Sequence, residues 1–204
     1  MLFQTRVDIP LSELKINHCH KIAMIGSCFT QNIGQKLKQD KFDVSINPFG
    51  ILFNPISVAK AIKSCFNQIY VKEKNLLKEG EQWLSLNHHS GFNSLKALDT
   101  LKKINNSIKD SEEYYVNGDY LIITLGTAWV YEYNESKEIV ANCHKIPNKK
   151  FTKRLLSINE IVEAYSKLFL EIQEINPSQK IIFTVSPVRH WKDGVVENKR
   201  SKSV

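Results

Sequence analysis

The stretch Lys21-Ile-Ala-Met-Ile-Gly-Ser-Cys-Phe-Thr30 decides the fold predicted for this chain. Its apolar run, 22–25, is unbroken and closes at Gly26, which is typical of a buried strand that ends in a tight turn. From Phe29 onward an apolar residue recurs every fourth position among polar ones, so a helix is predicted over about 29–39. A strand, a turn and a helix therefore follow one another directly.

The turn between this strand and helix carries two small nucleophilic side chains, Ser27 and Cys28. At the amino end of a helix, free N–H groups and the helix dipole favour an anion, and a thiol placed there is favoured as its thiolate. Two interpretations follow from the residues. The turn is either a reactive site or a plain strand-to-helix turn whose residues are small in order to fit.

Short apolar strands alternate with amphipathic helices along the rest of the chain. Tyr120–Leu125 and Lys180–Val185 are expected to be buried strands, and the alternating Phe42–Ile46 is expected at or near a sheet edge. A capping box at Ser157–Glu160 and the pair Asn54-Pro55 indicate where two helices begin. The pattern predicts an α/β fold with a parallel, doubly wound sheet in one domain of 204 residues.

Two short β-hairpins are predicted as insertions into this pattern. The first turns at Glu79-Gly-Glu81 and leads to the pair His88 and His89, and the second turns at Asn134-Glu-Ser136. We expect the first excursion to fold over the site as a lid, since loops on a rigid scaffold commonly carry function. One histidine of the pair, assigned as His89, is expected to contact the substrate, and the other to be exposed.

Polar residues directly follow the carboxyl ends of four predicted strands, here called the strand exits. In open α/β sheets the ligand binds outside these ends, where the strand order reverses. The residues at the four exits are Ser27 and Cys28, Asn47 and Gly50, Gly126 and Thr127, and Ser186, Arg189 and His190. His190 is the best-placed base or substrate contact, against the alternative of a surface histidine. Arg189 is suited to a carboxylate or phosphate of a substrate, against the alternative of an ion pair with an acidic side chain.

The composition is that of an ordinary globular protein, with 42% hydrophobic and 24% charged residues. The net charge of +7 is spread along the chain, which favours a solvated lysine-rich surface over nucleic-acid binding. No secretory signal pattern and no run of about 18 apolar residues occurs, so no membrane association is expected. The four cysteines lack C-x-x-C spacing, which indicates reduced thiols in the cytoplasm and no metal site.

Gly26-Ser-Cys-Phe-Thr30 resembles the signature of the GSCFA family, in which alanine stands where this chain has Thr30. Supporting stretches over most of the chain resemble the same family, namely 47–57, 124–129, 142–145 and 184–190. The family is placed among the SGNH/GDSL-type hydrolases, so the resemblance implies a flavodoxin-like three-layer α/β/α fold. It also implies hydrolysis of a small-molecule or carbohydrate ester, or of an acyl-type bond, without a cofactor or a metal.

The resemblance assigns roles to individual residues. The Gly-Asp-Ser block of SGNH enzymes carries the nucleophile, and its serine position falls on Cys28, with Ser27 in the place of the aspartate. Cys28 is the preferred nucleophile and Ser27 the alternative. Gly50 and Gly126 match the two blocks that supply oxyanion donors, but Ala128 stands where the second of them has an asparagine.

The Asp-x-x-His block that supplies the base in SGNH enzymes does not follow the last predicted strand. Relatives continue past this point, so we expect a C-terminally truncated version of the domain, whose usual base lies beyond Val204. The alternative function is a binding module that keeps the fold without turnover. The missing block and Ala128 favour that alternative.

Overall fold

A four-stranded parallel sheet forms the centre of the computed structural model, which describes residues 10–188 and 194–204. The strands are β1 Lys21–Gly26, β2 Asp43–Ile46, β3 Leu77–Glu79, β4 Gln82–Leu84, β5 Tyr120–Leu125, β6 Trp129–Tyr133, β7 Ile139–Val140, β8 Phe151–Leu155 and β9 Lys180–Val185. The helices are α1 Cys28–Gln39, α2 Pro55–Phe66, α3 Ala97–Val116, α4 Ile158–Ile175 and α5 Gly194–Lys202. The central sheet has the order β2-β1-β5-β9, so the strand order reverses between β1 and β5.

The two faces of the central sheet are covered by different helices. Ala23 and Ile25 of β1 point into a core that α2, α3 and α4 complete, whereas Ile22 and Met24 point to the face covered by α1. All four side chains are at most 1% exposed. This arrangement confirms the predicted α/β fold with a parallel, doubly wound sheet, in three layers of the flavodoxin-like kind.

Three helices begin where the sequence predicts. Ser27 caps α1, and the side chain of Asn54 accepts a hydrogen bond from the Ser57 N–H at 2.8 Å at the start of α2. Ser157 and Glu160 form the expected capping box at the start of α4. A cap of this kind contributes about 1 kcal/mol. Within the described ranges, no helix has both the length and the apolar character that crossing a lipid bilayer requires.

The prediction that Lys180–Val185 is a buried strand is wrong. Among the described residues, β9 is an edge strand, and Phe183 and Val185 are 42% and 56% exposed. An apolar run shows only that a strand is suited to burial. The position of the strand in the sheet decides whether it is buried. The expected edge position of β2 is confirmed.

Both hairpin insertions form, and the second is larger than predicted. β3 pairs antiparallel with β4, and β6 pairs antiparallel with β7. β8 was not predicted from the sequence. It joins β6 on its other side and gives a three-stranded sheet. Thr152 and Lys153 of β8 are exposed, so this strand lacks the apolar run that marks the central strands.

We predict that Gly26→Ala destabilises the fold by about 3 kcal/mol or more. Gly26 has φ +138°, and a Cβ there would overlap the Thr124 carbonyl oxygen of the neighbouring strand. Gly80→Ala is the matched control, because Gly80 has φ +58° but no heavy atom within 4 Å of its Cβ position. Urea unfolding should give a loss of about 1–2 kcal/mol for the control. Equal losses for the two variants would contradict the close approach of β1 and β5.

Candidate functional site

The turn after β1 places its two nucleophilic side chains in different surroundings. Ser27 is fully buried, its N–H donates to the Thr124 carbonyl at 3.2 Å, and its hydroxyl accepts from the Phe29 N–H at 3.3 Å. Cys28 is the first residue of α1 and is partly exposed. Ser27 therefore serves as the helix cap, and Cys28 is the more exposed of the two candidate nucleophiles.

The exit of β2 reaches the same turn through the side chain of Asn47. Its Oδ1 accepts the Gly26 N–H at 2.8 Å, and its Nδ2 donates to Gln31 Oε1 at 2.9 Å. The Gly26 N–H fixes which end of the amide is oxygen, because only an acceptor can face it. Asn47 is 6% exposed and lies in the left-handed region, with φ +48°. Gln31 is three residues after Cys28, so Asn47 lies beside the first turn of α1.

Gly50 brings the predicted lid against the β2 exit. A Cβ at Gly50, whose φ is +76°, would overlap the Cβ of His89. The His89 N–H donates to the Phe49 carbonyl at 2.9 Å, which ties the two segments together. The Gly50 N–H itself donates to the Asn47 carbonyl at 2.7 Å. Gly50 therefore permits close packing, and its N–H is already used.

The exit of β5 is likewise closed by backbone hydrogen bonds. The N–H groups of Gly126 and Thr127 both donate to the Phe53 carbonyl, at 2.8 and 3.1 Å. The Thr127 hydroxyl donates to Ser201 Oγ at 3.1 Å and accepts the Trp129 N–H. The N–H groups of Gly50 and Gly126, to which the sequence analysis gives an oxyanion role, therefore already have carbonyl acceptors in this structure. By contrast, the N–H of Cys28 lies in the first turn of α1. The N–H groups of a first turn have no acceptor within their own helix.

Two histidines hold the predicted lid, of which His88 is buried and His144 is half-buried. His88 is 2% exposed, so the expectation that the second histidine of the pair is exposed is wrong. Its ring stacks on Phe49 at 4.2 Å, and its Nδ1 lies 2.8 Å from Ser85 Oγ. Burial, and then the proximity of His144, lowers the pKa of His88 to about 3. His144 donates from Nε2 to the Ser85 carbonyl at 2.8 Å, and burial lowers its pKa as well.

Two further predicted site residues, Arg189 and His190, lie outside the described residues. Ser186, at the exit of β9, is buried, and its N–H donates to the Leu125 carbonyl at 2.8 Å. The structure thus brings together the exits of β1, β2 and β5. The described ranges contain no group of three His, Cys, Asp or Glu side chains that could hold a metal ion.

Two residues that support this region, Gln31 and Ser85, were not predicted from the sequence. Gln31 could have been found from its helical spacing to Cys28, because residues three apart share a helix face. Ser85 lies between β4 and the histidine pair, and no motif marks it.

Comparison with known proteins gives one result. A sequence model of the GSCFA family matches residues 21–204, which include every residue of the candidate site. No curated protein and no solved structure matches the chain.

We predict that His88 makes the fold less stable as the pH falls from about 6.5 toward 3. The folded protein keeps His88 neutral, whereas the unfolded chain takes up the proton near the ordinary pKa of about 6.5. Unfolding is therefore favoured by about 1.4 kcal/mol per pH unit within this window.

The comparison variant is His88→Phe, which keeps an aromatic ring on Phe49 and does not titrate. Urea unfolding at pH 7, 6 and 5 should show a smaller pH slope in this variant, and the difference in slope should approach about 1.4 kcal/mol per unit below pH 6. An NMR titration in which the imidazole of folded His88 gains its proton near pH 6.5 would contradict the assignment.

Proposed function

This chain belongs to the GSCFA family, and we propose that it is an SGNH-type hydrolase that attacks an ester or acyl-type bond with Cys28. The observation that carries the proposal is the position of the Cys28 thiol. Cys28 is partly exposed and is the first residue of α1. It lies where the strand order reverses between β1 and β5. In open α/β sheets that reversal is where ligands bind.

The chemistry that we propose proceeds through an acyl-cysteine. A base takes the proton of the Cys28 thiol, the thiolate attacks the carbonyl carbon, a C–S bond forms, and the carbonyl oxygen becomes an oxyanion. When the tetrahedral intermediate collapses, the C–O bond breaks and the protonated base returns its proton to the alcohol that leaves. Water then hydrolyses the thioester, which releases the carboxylic acid and restores the thiol.

The amino end of α1 and Asn47 supply the oxyanion donors in this proposal. The Cys28 N–H is in the first helical turn, and the helix dipole favours negative charge there. Asn47 Nδ2 has two hydrogens, of which one is donated to Gln31. The second gives the side-chain donor that Ala128 cannot provide. We propose this role for Asn47 because the Gly50 and Gly126 N–H groups are already used.

His89 is proposed as a substrate contact. Its Nδ1 accepts the Gly91 N–H at 3.2 Å, so the neutral ring carries its hydrogen on Nε2 and offers a donor. The first side-chain atoms of His89 pack on Gly50, which keeps His89 beside the end of β2. His190 is proposed as the base and Arg189 as a contact for a substrate anion, because both residues follow β9 in the sequence.

We predict turnover of p-nitrophenyl butyrate or of a short-chain thioester. Cys28→Ala should lower kcat/KM by about 10³-fold or more, because it removes the nucleophile. Ser27→Ala should lower the stability by about 1 kcal/mol through loss of the cap and change kcat less than tenfold. Cys19→Ala is the control, since Cys19 is exposed and outside the site. Full activity in both Cys28→Ala and Ser27→Ala would end the nucleophile assignment.

We predict that Asn47→Asp lowers kcat by about 10²–10³-fold and changes KM much less, since an oxyanion donor acts in the transition state. Aspartate keeps the acceptor for the Gly26 N–H and tolerates positive φ, so the fold should persist. Asn67→Asp, at the exposed end of α2, is the matched control. Equal activity of the Asn47 and Asn67 variants would remove Asn47 from the oxyanion site.

A second candidate is a binding module of the same fold without turnover. Ala128 and the occupied N–H groups of Gly50 and Gly126 favour it, because they leave fewer oxyanion donors than an SGNH enzyme uses. Ester substrates that raise the melting temperature without being hydrolysed would support this candidate. Measurable hydrolysis that depends on Cys28 would exclude it.

A further inference from the structure

The side chain of Gln31 connects α1 to Asn47, the residue that follows β2. Gln31 is three residues after Cys28 on α1, so the two residues lie on the same face of the helix. Its Oε1 accepts a hydrogen bond from Asn47 Nδ2 at 2.9 Å. The first turn of α1 therefore carries both the thiol that we assign as the nucleophile and an acceptor for Asn47.

A backbone group fixes the polarity of this hydrogen bond. The Gly26 N–H can only donate, so the atom of the Asn47 amide that faces it at 2.8 Å is Oδ1. Asn47 Nδ2 then faces Gln31, and because Nδ2 can only donate, Gln31 presents Oε1 to it. A reversed Gln31 amide would place two N–H donors against each other. The acceptor role of Gln31 thus follows from the Gly26 N–H.

The backbone of Asn47 is fixed without Gln31. Its N–H donates to the Met24 carbonyl at 2.8 Å, and its carbonyl accepts the Gly50 N–H at 2.7 Å. What remains variable is the side chain, whose last torsion joins a tetrahedral carbon to a planar amide and has broad energy wells. The bond from the Gly26 N–H restrains Oδ1 alone. A second bond, at Nδ2, is needed to fix the amide plane, and Gln31 provides it.

A fixed amide plane gives both hydrogens on Asn47 Nδ2 fixed directions. One hydrogen is donated to Gln31, and the other is the proposed oxyanion donor. Such a donor is effective when it is preorganised at about 2.7–3.1 Å from the oxyanion. The Gln31 N–H donates to the Ser27 carbonyl at 3.2 Å, which is the first hydrogen bond of α1. This bond ties Gln31 to the helical turn that contains Cys28.

We propose that Gln31 is a positioning residue for the oxyanion site. Its Oε1 holds the amide plane of Asn47, so that the second hydrogen on Nδ2 is directed at the oxygen that becomes the oxyanion when Cys28 attacks. This role rests on the proposed function, because it takes Asn47 as an oxyanion donor. The donor is then aligned by the same helical turn that carries the nucleophile.

The experiment measures the hydrolysis of p-nitrophenyl butyrate by the full chain and by its Gln31→Met variant. Methionine keeps the length and the helix preference of the side chain but offers only a weak acceptor. We expect kcat to fall about tenfold with little change in KM, because a misdirected donor costs rate in the transition state. Gln35→Met, one turn further along α1 at an exposed position, should keep the wild-type kcat.

A double variant separates the alignment of Asn47 from a general effect on the fold. In an Asn47→Asp background the donor is already absent, so adding Gln31→Met should change kcat by less than about twofold. A merely structural role for Gln31 would lower kcat by the same factor in both backgrounds and would overturn the proposal. Unchanged kcat in Gln31→Met, while Cys28→Ala removes turnover, would overturn it and leave the proposed function standing. No turnover by the unaltered chain would contradict the proposed function itself, and the role of Gln31 would fall with it.

NMR relaxation of side-chain amides tests the alignment without turnover. In the unaltered protein the Asn47 NH₂ group should have an order parameter near that of a rigid backbone, about 0.85, and exposed Asn106 should be below about 0.6. Gln31→Met should lower the value for Asn47 toward that of Asn106, and Gln35→Met should leave it unchanged. If Gln31→Met does not fold, the unaltered protein decides, because an Asn47 value as low as that of Asn106 would overturn the positioning role.

Discussion

The hydrogen bond from the Gly26 N–H to the Asn47 side chain is the interaction on which the rest of the site depends. It fixes the β2 exit against the turn after β1, and through Gln31 it also fixes the first turn of α1. On the other side of the turn, Gly26 approaches the Thr124 carbonyl so closely that no side chain fits. The turn that carries Cys28 is thus held by two neighbouring strands, which is the rigid positioning that the proposed nucleophilic attack would require.

The lid is stabilised by a different kind of interaction. Buried His88 and Ser85 and half-buried His144 form a polar group in which burial lowers the pKa of both imidazoles. Their hydrogen bonds replace those that water would supply, and stacking on Phe49 adds an apolar contact. The lid is therefore tied to the same loop that carries Asn47 and Gly50. Changes in the lid are expected to reach the site through this loop.

Much of the fold could be predicted because it depends on local patterns. The strand-turn-helix at 21–39, the caps at Asn54 and Ser157, and the parallel sheet follow from periodicity and turn chemistry. The edge position of β9 could not be predicted, because an apolar run occurs both in edge strands and in central strands of a sheet. β8 was missed because pairing with β6, and not an apolar run, makes it a strand.

The sequence by itself determined the fold class, the Gly-Ser-Cys turn and the set of strand exits, since these follow from residue types at fixed local spacing. Only the tertiary structure decided how the residues at these exits are used. It made Ser27 a buried cap and gave the N–H groups of Gly50 and Gly126 carbonyl acceptors. Among the residues that the structure describes, it paired Asn47 Nδ2 with Gln31 alone. It also buried His88, which the sequence analysis expected at the surface. The reason is physical: a hydrogen bond or a buried position depends on which distant segment is adjacent, and no local pattern records that.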